Sequence, residues 1–281
     1  MKEMEAAEGF LAHVGPITHD AHDTQDGAGS TVLPLGPHHL NIGGRFHGGM
    51  VMTLAVAALE RAAGEAAARG GGGADVRMLS MDVQFISAAL GGARVRADVE
   101  RTRVTRTMVF LTARLSADGE CLATLGAVYR IVAPGAEAEE PPAAPARPDT
   151  AGWAQAVWRE PFSRHVGSVY ECTTPEGGMS ALFEVDASRA CARRPVMHDG
   201  MALFIADVFT GRASARASMG RCVTLGMQVR RLGDVAAGAW PRFETHVRKV
   251  SPSVVFTDGV LSCGGQPVMT VASVWKILGA S

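Results

Sequence analysis

The 281-residue chain repeats itself, and the repeat limits it to two copies of one domain. Phe46-His47-Gly48-Gly49-Met50-Val51-Met52-Thr53-Leu54 recurs as Met197-His198-Asp199-Gly200-Met201-Ala202-Leu203-Phe204-Ile205. His13-Val14-Gly15 precedes the first copy and His165-Val166-Gly167 the second. Downstream, Ser80-Met81-Asp82-Val83-Gln84-Phe85 is echoed by Thr224-Leu225-Gly226-Met227-Gln228-Val229, and Ala127-Val128-Tyr129-Arg130-Ile131 by Ser273-Val274-Trp275-Lys276-Ile277. Landmarks in one order, roughly 145 to 150 residues apart, divide the chain into a domain over 1-132, a linker over 133-152 and a domain over 153-281. The linker is rich in Pro, Ala and Glu and has little to bury.

Each copy reads as one long helix followed by an antiparallel sheet. In the first, Met1 to His13 predicts a short amphipathic helix and Ser30 to Leu35 a strand. Met50 to Ala68 predicts a helix whose alanines and leucines favour that state and whose apolar residues run nearly all round it, so the sheet should wrap it. Gly70 to Gly73 stops that helix. Strands follow at about Val76 to Phe85, Ala93 to Arg103, Thr107 to Ser116 and Cys121 to Val132, with Asp118-Gly119 as a tight hairpin. The second copy repeats the plan: a helix over Ala154 to Arg164, a strand over Ser180 to Val185, the central helix over Gly200 to Ala217, and four strands from Cys222 to Ile277 with Gly264-Gly265 at the hairpin.

The composition excludes several function classes. A net charge of -1 gives no long-range attraction to nucleic acid or acidic membranes. The start is too acidic for a signal peptide and no apolar stretch is long enough to span a bilayer, so a cytoplasmic protein is expected. Five widely spaced cysteines fit neither a disulfide framework nor a zinc knuckle and are read as reduced, mostly buried thiols. The nine scattered histidines show no ligand spacing, so no metal is expected.

This order of elements resembles the α+β hot-dog fold in tandem, a double hot-dog in which each antiparallel sheet wraps a long central helix. More narrowly it resembles the acyl-CoA thioesterases of the phenylacetate-pathway type. The first copy carries Asn41, five intervening residues, then His47-Gly48-Gly49; the second carries a helix carboxylate, Asp207, nine positions after His198, and a strand hydroxyl, Thr224. Each copy lacks what the other keeps. The first has Val56 at the carboxylate position; the second has Ala192 at the asparagine position and Asp199 in place of the first glycine. The resemblance implies one complete composite site and one decayed twin, a substrate whose carrier is coenzyme A or an acyl carrier, and no separate cofactor.

The chemistry of thioester hydrolysis fits that division. A backbone N–H at the start of a central helix can stabilise the developing oxyanion, and Gly48 and Gly49 permit close approach. Asn41 could hold the substrate or the attacking water; His47 could order the loop or polarise the carbonyl. Asp207 would be the general base, or the nucleophile of a transient anhydride, and Thr224 would hold the water or orient the carboxylate. Each has a plainer reading: glycines before a helix are commonly a turn, Asp207 could be a paired structural carboxylate, and Thr is at home in a strand. His198 reads as structural. Glu60 reads as a solvated charge that could instead serve the second site, and Asp82 and Gln84 either adjoin the pocket or face solvent. His13 and His165 point to a shared packing role.

Arg101, Arg103, Arg106, Arg193, Arg194, Arg230 and Arg231 are candidates for the phosphates of coenzyme A, with ordinary surface charge as the alternative. Met50, Met52, Phe204 and Phe209 could line an acyl tunnel or be core. Two other functions stay open. Tandem hot-dogs also resemble 3-hydroxyacyl thioester dehydratases, which would use His47 and Asp207, although the setting of their histidine is not found. The chain could also be a non-catalytic acyl-CoA binding module. A homodimer is expected through sheet edges or faces.

Overall fold

The computed structural model describes residues 3–4, 9–20, 27–69, 75–133, 147–159, 161–192 and 194–279. Its elements are β1 (Glu3–Met4), a 3-10 helix (Gly9–His13), β2 (Thr18–Asp20), β3 (Gly27–Pro34), a 3-10 helix (Pro37–His39), α1 (Gly48–Arg69) and β4 (Asp75–Phe85). Next come β5 (Arg94–Val104), β6 (Met108–Ala117), β7 (Glu120–Val132), β8 (Ala154–Gln155), α2 (Pro161–His165), β9 (Val169–Thr173) and β10 (Met179–Phe183). The chain closes with α3 (Asp199–Ser218), β11 (Arg221–Arg231), β12 (Arg242–Val250), β13 (Val254–Cys263) and β14 (Gln266–Leu278).

All strands join one antiparallel sheet of order β1-β2-β3-β5-β6-β7-β4-β11-β14-β13-β12-β10-β9-β8. The halves meet at its centre, where β4 pairs with β11 from Gly226↔Gln84 to Arg230↔Ser80. Alternation decides which face each side chain takes: on β6, Val109, Leu111, Ala113 and Leu115 are buried while Phe110, Thr112 and Arg114 face out. The inner face closes over α1 and α3. Met50, Met52, Leu54 and Leu59 of α1 and Met201, Leu203, Phe204 and Phe209 of α3 are wholly buried, as a helix apolar all round requires. The expected hairpins are present: Asp118 (φ 50°) and Gly119 (φ 83°), then Gly264 (φ 58°) and Gly265 (φ 79°), take the two left-handed positions that match strand twist.

Four expectations need correction. Residues 154–164 are not a helix. Ala154–Gln155 forms an edge strand, Ala156 N–H donates to Val169 O and Trp158 Nε1–H to Gly167 O, and Pro161 can open the short α2 but cannot lie inside a longer helix. Among the described residues of 1–13, Gly9–His13 forms a 3-10 turn and Glu3–Met4 the strand β1, not parts of one amphipathic helix. The echo between β4 and β11 is also displaced. Both strands bulge, at Leu79 and at Leu225, and aligning the bulges makes Met78, not Ser80, the counterpart of Thr224. Only Cys263 of the five cysteines is buried; the others are half-buried. The Gly70–Gly73 tract and most of the linker lie outside the described residues. Where the linker ends, Arg147 stacks 5.2 Å over the Trp240 ring and donates to Tyr170 Oη, tying it to the second half. Among the described residues no helix is long and apolar enough to cross a membrane.

Candidate active site

The start of α1 meets the middle of α3. Asp207 Oδ2 accepts a hydrogen bond from Gly49 N–H at 2.8 Å, and Oδ1 accepts one from Thr224 Oγ1 at 3.0 Å. His47 Nδ1 lies 3.0 Å from Gly49 N and 3.5 Å from Asp207 Oδ2. The Gly49 N–H is shared between the two, and because Nδ1 lies nearer to that donor than to Asp207 Oδ2, Nδ1 is an acceptor and His47 the N-cap of α1. Four of the expected residues, Gly49, His47, Asp207 and Thr224, therefore converge, and they come from both halves of the chain.

Gly48 is drawn in as well. A Cβ there would stand 2.9 Å from both oxygens of Asp207, and one on Gly49 would stand 2.7 Å from Phe204 Cδ2 and 3.0 Å from Phe204 Cα. The glycines let two helices of different halves touch at the carboxylate. That is a different need from the one read in the sequence, where they cleared room for the acyl carbonyl.

Asp207 is 5% exposed, and burial pushes its carboxyl above the ordinary carboxylate range. His47, the Thr224 hydroxyl and the Gly49 N–H oppose that rise without cancelling it. A buried carboxylate with a raised pKa, held by two donors beside a helix N-terminus, is the environment of a general base. Gly48 and Thr224, which stand against the carboxylate, are half-buried, so this is its less enclosed side.

Asn41 does not join them. Its Oδ1 accepts from Gly43 N–H (2.8 Å) and Arg45 N–H (3.2 Å), closing the turn that leads into Phe46 and His47. Its role in the structure is to shape that loop.

The matching position at the other helix pair is closed by charge. His198 caps α3 as His47 caps α1, accepting from Gly200 N–H at 2.9 Å, but burial pushes its pKa down to about 4. Val56 and Met78 replace the carboxylate and the hydroxyl, and Asp199 is held by Arg231 Nε at 2.8 Å. Asp234 receives Arg77 (3.3 Å), Arg194 (3.5 Å) and Arg231 (3.7 Å). Glu60 belongs to this end: after burial, its charge and that of Asp199 raise the Tyr129 hydroxyl. Phe10 covers the cap, its ring 5.4 Å from that of His198.

Three of the seven arginines expected at a phosphate site are paired with carboxylates elsewhere. Arg194 and Arg231 serve that buried network, and Arg230 pairs with Asp82 at 3.1 Å on the outer sheet face. Arg103 and Arg106 are exposed where β5 turns into β6, and Arg193 lies outside the described residues. Asp82 and Gln84 line a groove of about 1140 Å³ on that outer face, which includes none of the converging residues. The repeated Val-Gly is structural in both halves: Val14 O accepts from His39 Nε2 and Val166 O from Arg189 Nε. Of the expected tunnel residues, Met50, Met52, Phe204 and Phe209 are all core, and Phe204 carries the His47 ring at 5.2 Å. Sequence reading missed Phe162 and Trp158, whose rings pack on Phe204 at 5.1 and 6.5 Å; an isolated aromatic beside a misread helix gave no signal.

Among the described residues no group of three or more His, Cys, Asp or Glu could hold a metal ion. Residues 37–130, from the Pro37 turn to β7, match the family described as acyl-CoA thioesterase N-terminal domain. No curated protein matches the sequence significantly. Solved structures similar to the whole chain include the tesB protein of Mycobacterium avium subs paratuberculosis, at 14% identity over 96% of this chain and 98% of that one, with a TM-score of 0.66. A hot-dog protein of Alicyclobacillus acidocaldarius is 15% identical over 90% of this chain and 94% of that one (TM-score 0.66). An acyl-CoA thioesterase II, TesB2, of Mycobacterium marinum is 14% identical over 90% and 94% (TM-score 0.63). Residues 37–130 thus carry a domain of the acyl-CoA thioesterase kind, which points to a thioester hydrolase, and the chain as a whole has the double hot-dog fold.

Proposed function

We propose that the chain hydrolyses an acyl thioester at one composite site, with Asp207 as general base and the N-terminus of α1 as the oxyanion donor. The observation that carries this reading is the single N–H of Gly49 held by the Asp207 carboxylate. A water on the half-buried side gives its proton to Asp207 as its oxygen bonds to the thioester carbon. The carboxylate then loses its charge and its hold on the N–H while the carbonyl oxygen gains charge, so the donor passes from one to the other. Collapse of the tetrahedral intermediate breaks the C–S bond, and the Asp207 proton goes to the departing sulfur, leaving a free acid and a thiol. Thr224 fixes the carboxylate rotamer, His47 fixes the first turn of α1, and Asn41 fixes the turn before it.

The capping bond of His47 favours hydrolysis over dehydration, because with Nδ1 accepting a hydrogen bond from Gly49 N–H the neutral ring carries its proton on Nε2 and has no lone pair left to take one from substrate. The motifs shared with the phenylacetate-pathway type support the same carboxylate-driven chemistry. A cytoplasmic setting suits a substrate carried on coenzyme A.

The test is thiol release from acetyl-, butyryl-, octanoyl- and phenylacetyl-CoA, with water loss from a 3-hydroxyacyl-CoA followed in parallel. Hydrolysis of at least one ester without dehydration supports the reading, and dehydration alone replaces it. A single turnover in ¹⁸O water separates the two roles of Asp207: a general base puts the label directly into the product acid, whereas an anhydride route puts it into the protein carboxylate.

A further inference from the structure

Arg221 opens β11, three residues before Thr224, and reaches over the turn that Asn41 closes. Its Nη2 would lie 3.9 Å from a Cβ on Gly43, so its guanidinium, from the second half, stands beside a loop of the first. Arg221 is exposed and, among the described residues, has no carboxylate partner, unlike Arg194, Arg230 and Arg231. Arg45, two residues past Gly43 on the same turn, is exposed too and, among the described residues, its guanidinium reaches the Ala88 carbonyl at 3.5 Å and no carboxylate. Large apolar side chains stand uncovered around this pair: Ile42 on the turn (67% exposed), and Met219 (94%) and Val223 (42%) two residues to either side of Arg221. Isolated apolar residues on a surface carry no message, but three of them around two uncommitted guanidinium groups suit a ligand with anionic and apolar parts.

The position ties this patch to the reaction. Gly48 and Thr224, the half-buried residues against the Asp207 carboxylate, lie on the same two segments, the entry to α1 and the start of β11, that carry Arg45 and Arg221. A thioester whose carbonyl lies at Gly49 must send its acyl group one way and its carrier the other. Phe204, Phe162 and His47 fill the inner side, so the carrier leaves outward along β11.

We propose that Arg221, with Arg45 across the turn, is the anion site that holds the phosphates at the far end of the carrier's pantetheine arm. The proposal rests on the hydrolytic reading for its substrate class but is tested by binding alone. Arg221 also gives Asn41 its purpose: by accepting from Gly43 and Arg45 N–H, that side chain sets the turn that carries Arg45 and lies beside Arg221.

The experiment is titration calorimetry of coenzyme A, 4′-phosphopantetheine and pantetheine on the full chain, as wild type, Arg221→Ala, Arg221→Lys and Arg45→Ala. Wild type should prefer coenzyme A to pantetheine, and Arg221→Ala should reduce that preference about tenfold or more, with part of it recovered in Arg221→Lys. If 4′-phosphopantetheine loses as much as coenzyme A, the phosphate held is the one an acyl carrier protein shares; if coenzyme A alone loses, the nucleotide phosphates are held. An unchanged preference in Arg221→Ala, equal losses for all three ligands, or no binding of coenzyme A to wild type would each overturn the proposal. Thioester hydrolysis by a wild type that shows no such preference would leave the hydrolytic reading standing and this one refuted.

Discussion

Asp207 accepts the N–H of Gly49 at 2.8 Å across the boundary between two repeats that, by sequence, are each incomplete. The bond joins the middle of one central helix to the first turn of the other. It makes the site a property of the pair, and it places a charge that burial disfavours beside the positive end of a helix dipole.

The pH dependence follows from that burial. The Asp207 carboxyl is raised above its ordinary value of 3.8, so general-base activity should rise with pH through the elevated pKa and not through the ordinary one. Stability runs the other way. A carboxyl that binds its proton more tightly when folded stabilises the protein below 3.8, and that contribution is lost as pH rises through the folded pKa. Asp207→Asn should remove this loss, and chemical denaturation at pH 4 and pH 7 would show a smaller difference in the variant than in wild type.

Gly48→Ala and Gly49→Ala should separate chemistry from folding. The first sets a methyl against a side-chain carboxylate that can rotate away, so kcat should fall more than stability. The second meets the Phe204 backbone, which cannot, and should cost about 1–3 kcal/mol as well as activity. Equal denaturation midpoints for the two would contradict the packing described.

Thr224→Val should lose about 1 kcal/mol of hydrogen bonding and roughly tenfold in kcat/KM, while Thr224→Ser keeps most of both. Because Thr224 acts on the reaction through the carboxylate, its effect on kcat/KM should vanish in an Asp207→Asn background, where the amide can still hydrogen-bond the hydroxyl.

The other helix pair should matter for stability alone. His198 has a folded pKa of about 4 against 6.5 unfolded, so the stability it supplies is present above 6.5 and is lost as pH falls toward 4, by up to about 3 kcal/mol. His198→Asn keeps a cap for Gly200 and should flatten that part of the stability profile. Arg231→Met, which strands Asp199, should cost about 3 kcal/mol at neutral pH without lowering kcat per folded molecule.

Much of this was legible in the sequence because the repeat carries it. The two helices, the strands after them and the hairpins at Asp118-Gly119 and Gly264-Gly265 follow from apolar period and turn chemistry, and the distribution of His47 and Asp207 between copies already suggests that the two meet across the repeats, as they do at 3.5 Å. Contacts between segments were not legible. The hydrogen bond of Asn41 to its own turn, the Phe204 backbone against Gly49 and the commitment of Arg194 and Arg231 to Asp234 depend on which side chains fold together across more than a hundred residues. The two-residue displacement between β4 and β11 was hidden because a bulge leaves no mark in an alternating pattern. Arg221 passed unnoticed for the same reason: an arginine at a strand end means little until a distant loop is found beside it.

The most direct test is the rate of thiol release by Asp207→Asn against wild type, on whichever acyl-CoA wild type hydrolyses best. The substitution keeps an acceptor for Gly49 and removes only the base, so kcat/KM should fall about a hundredfold or more while the folded state persists. A variant that hydrolyses the same ester at the wild-type rate would contradict a site built on Asp207.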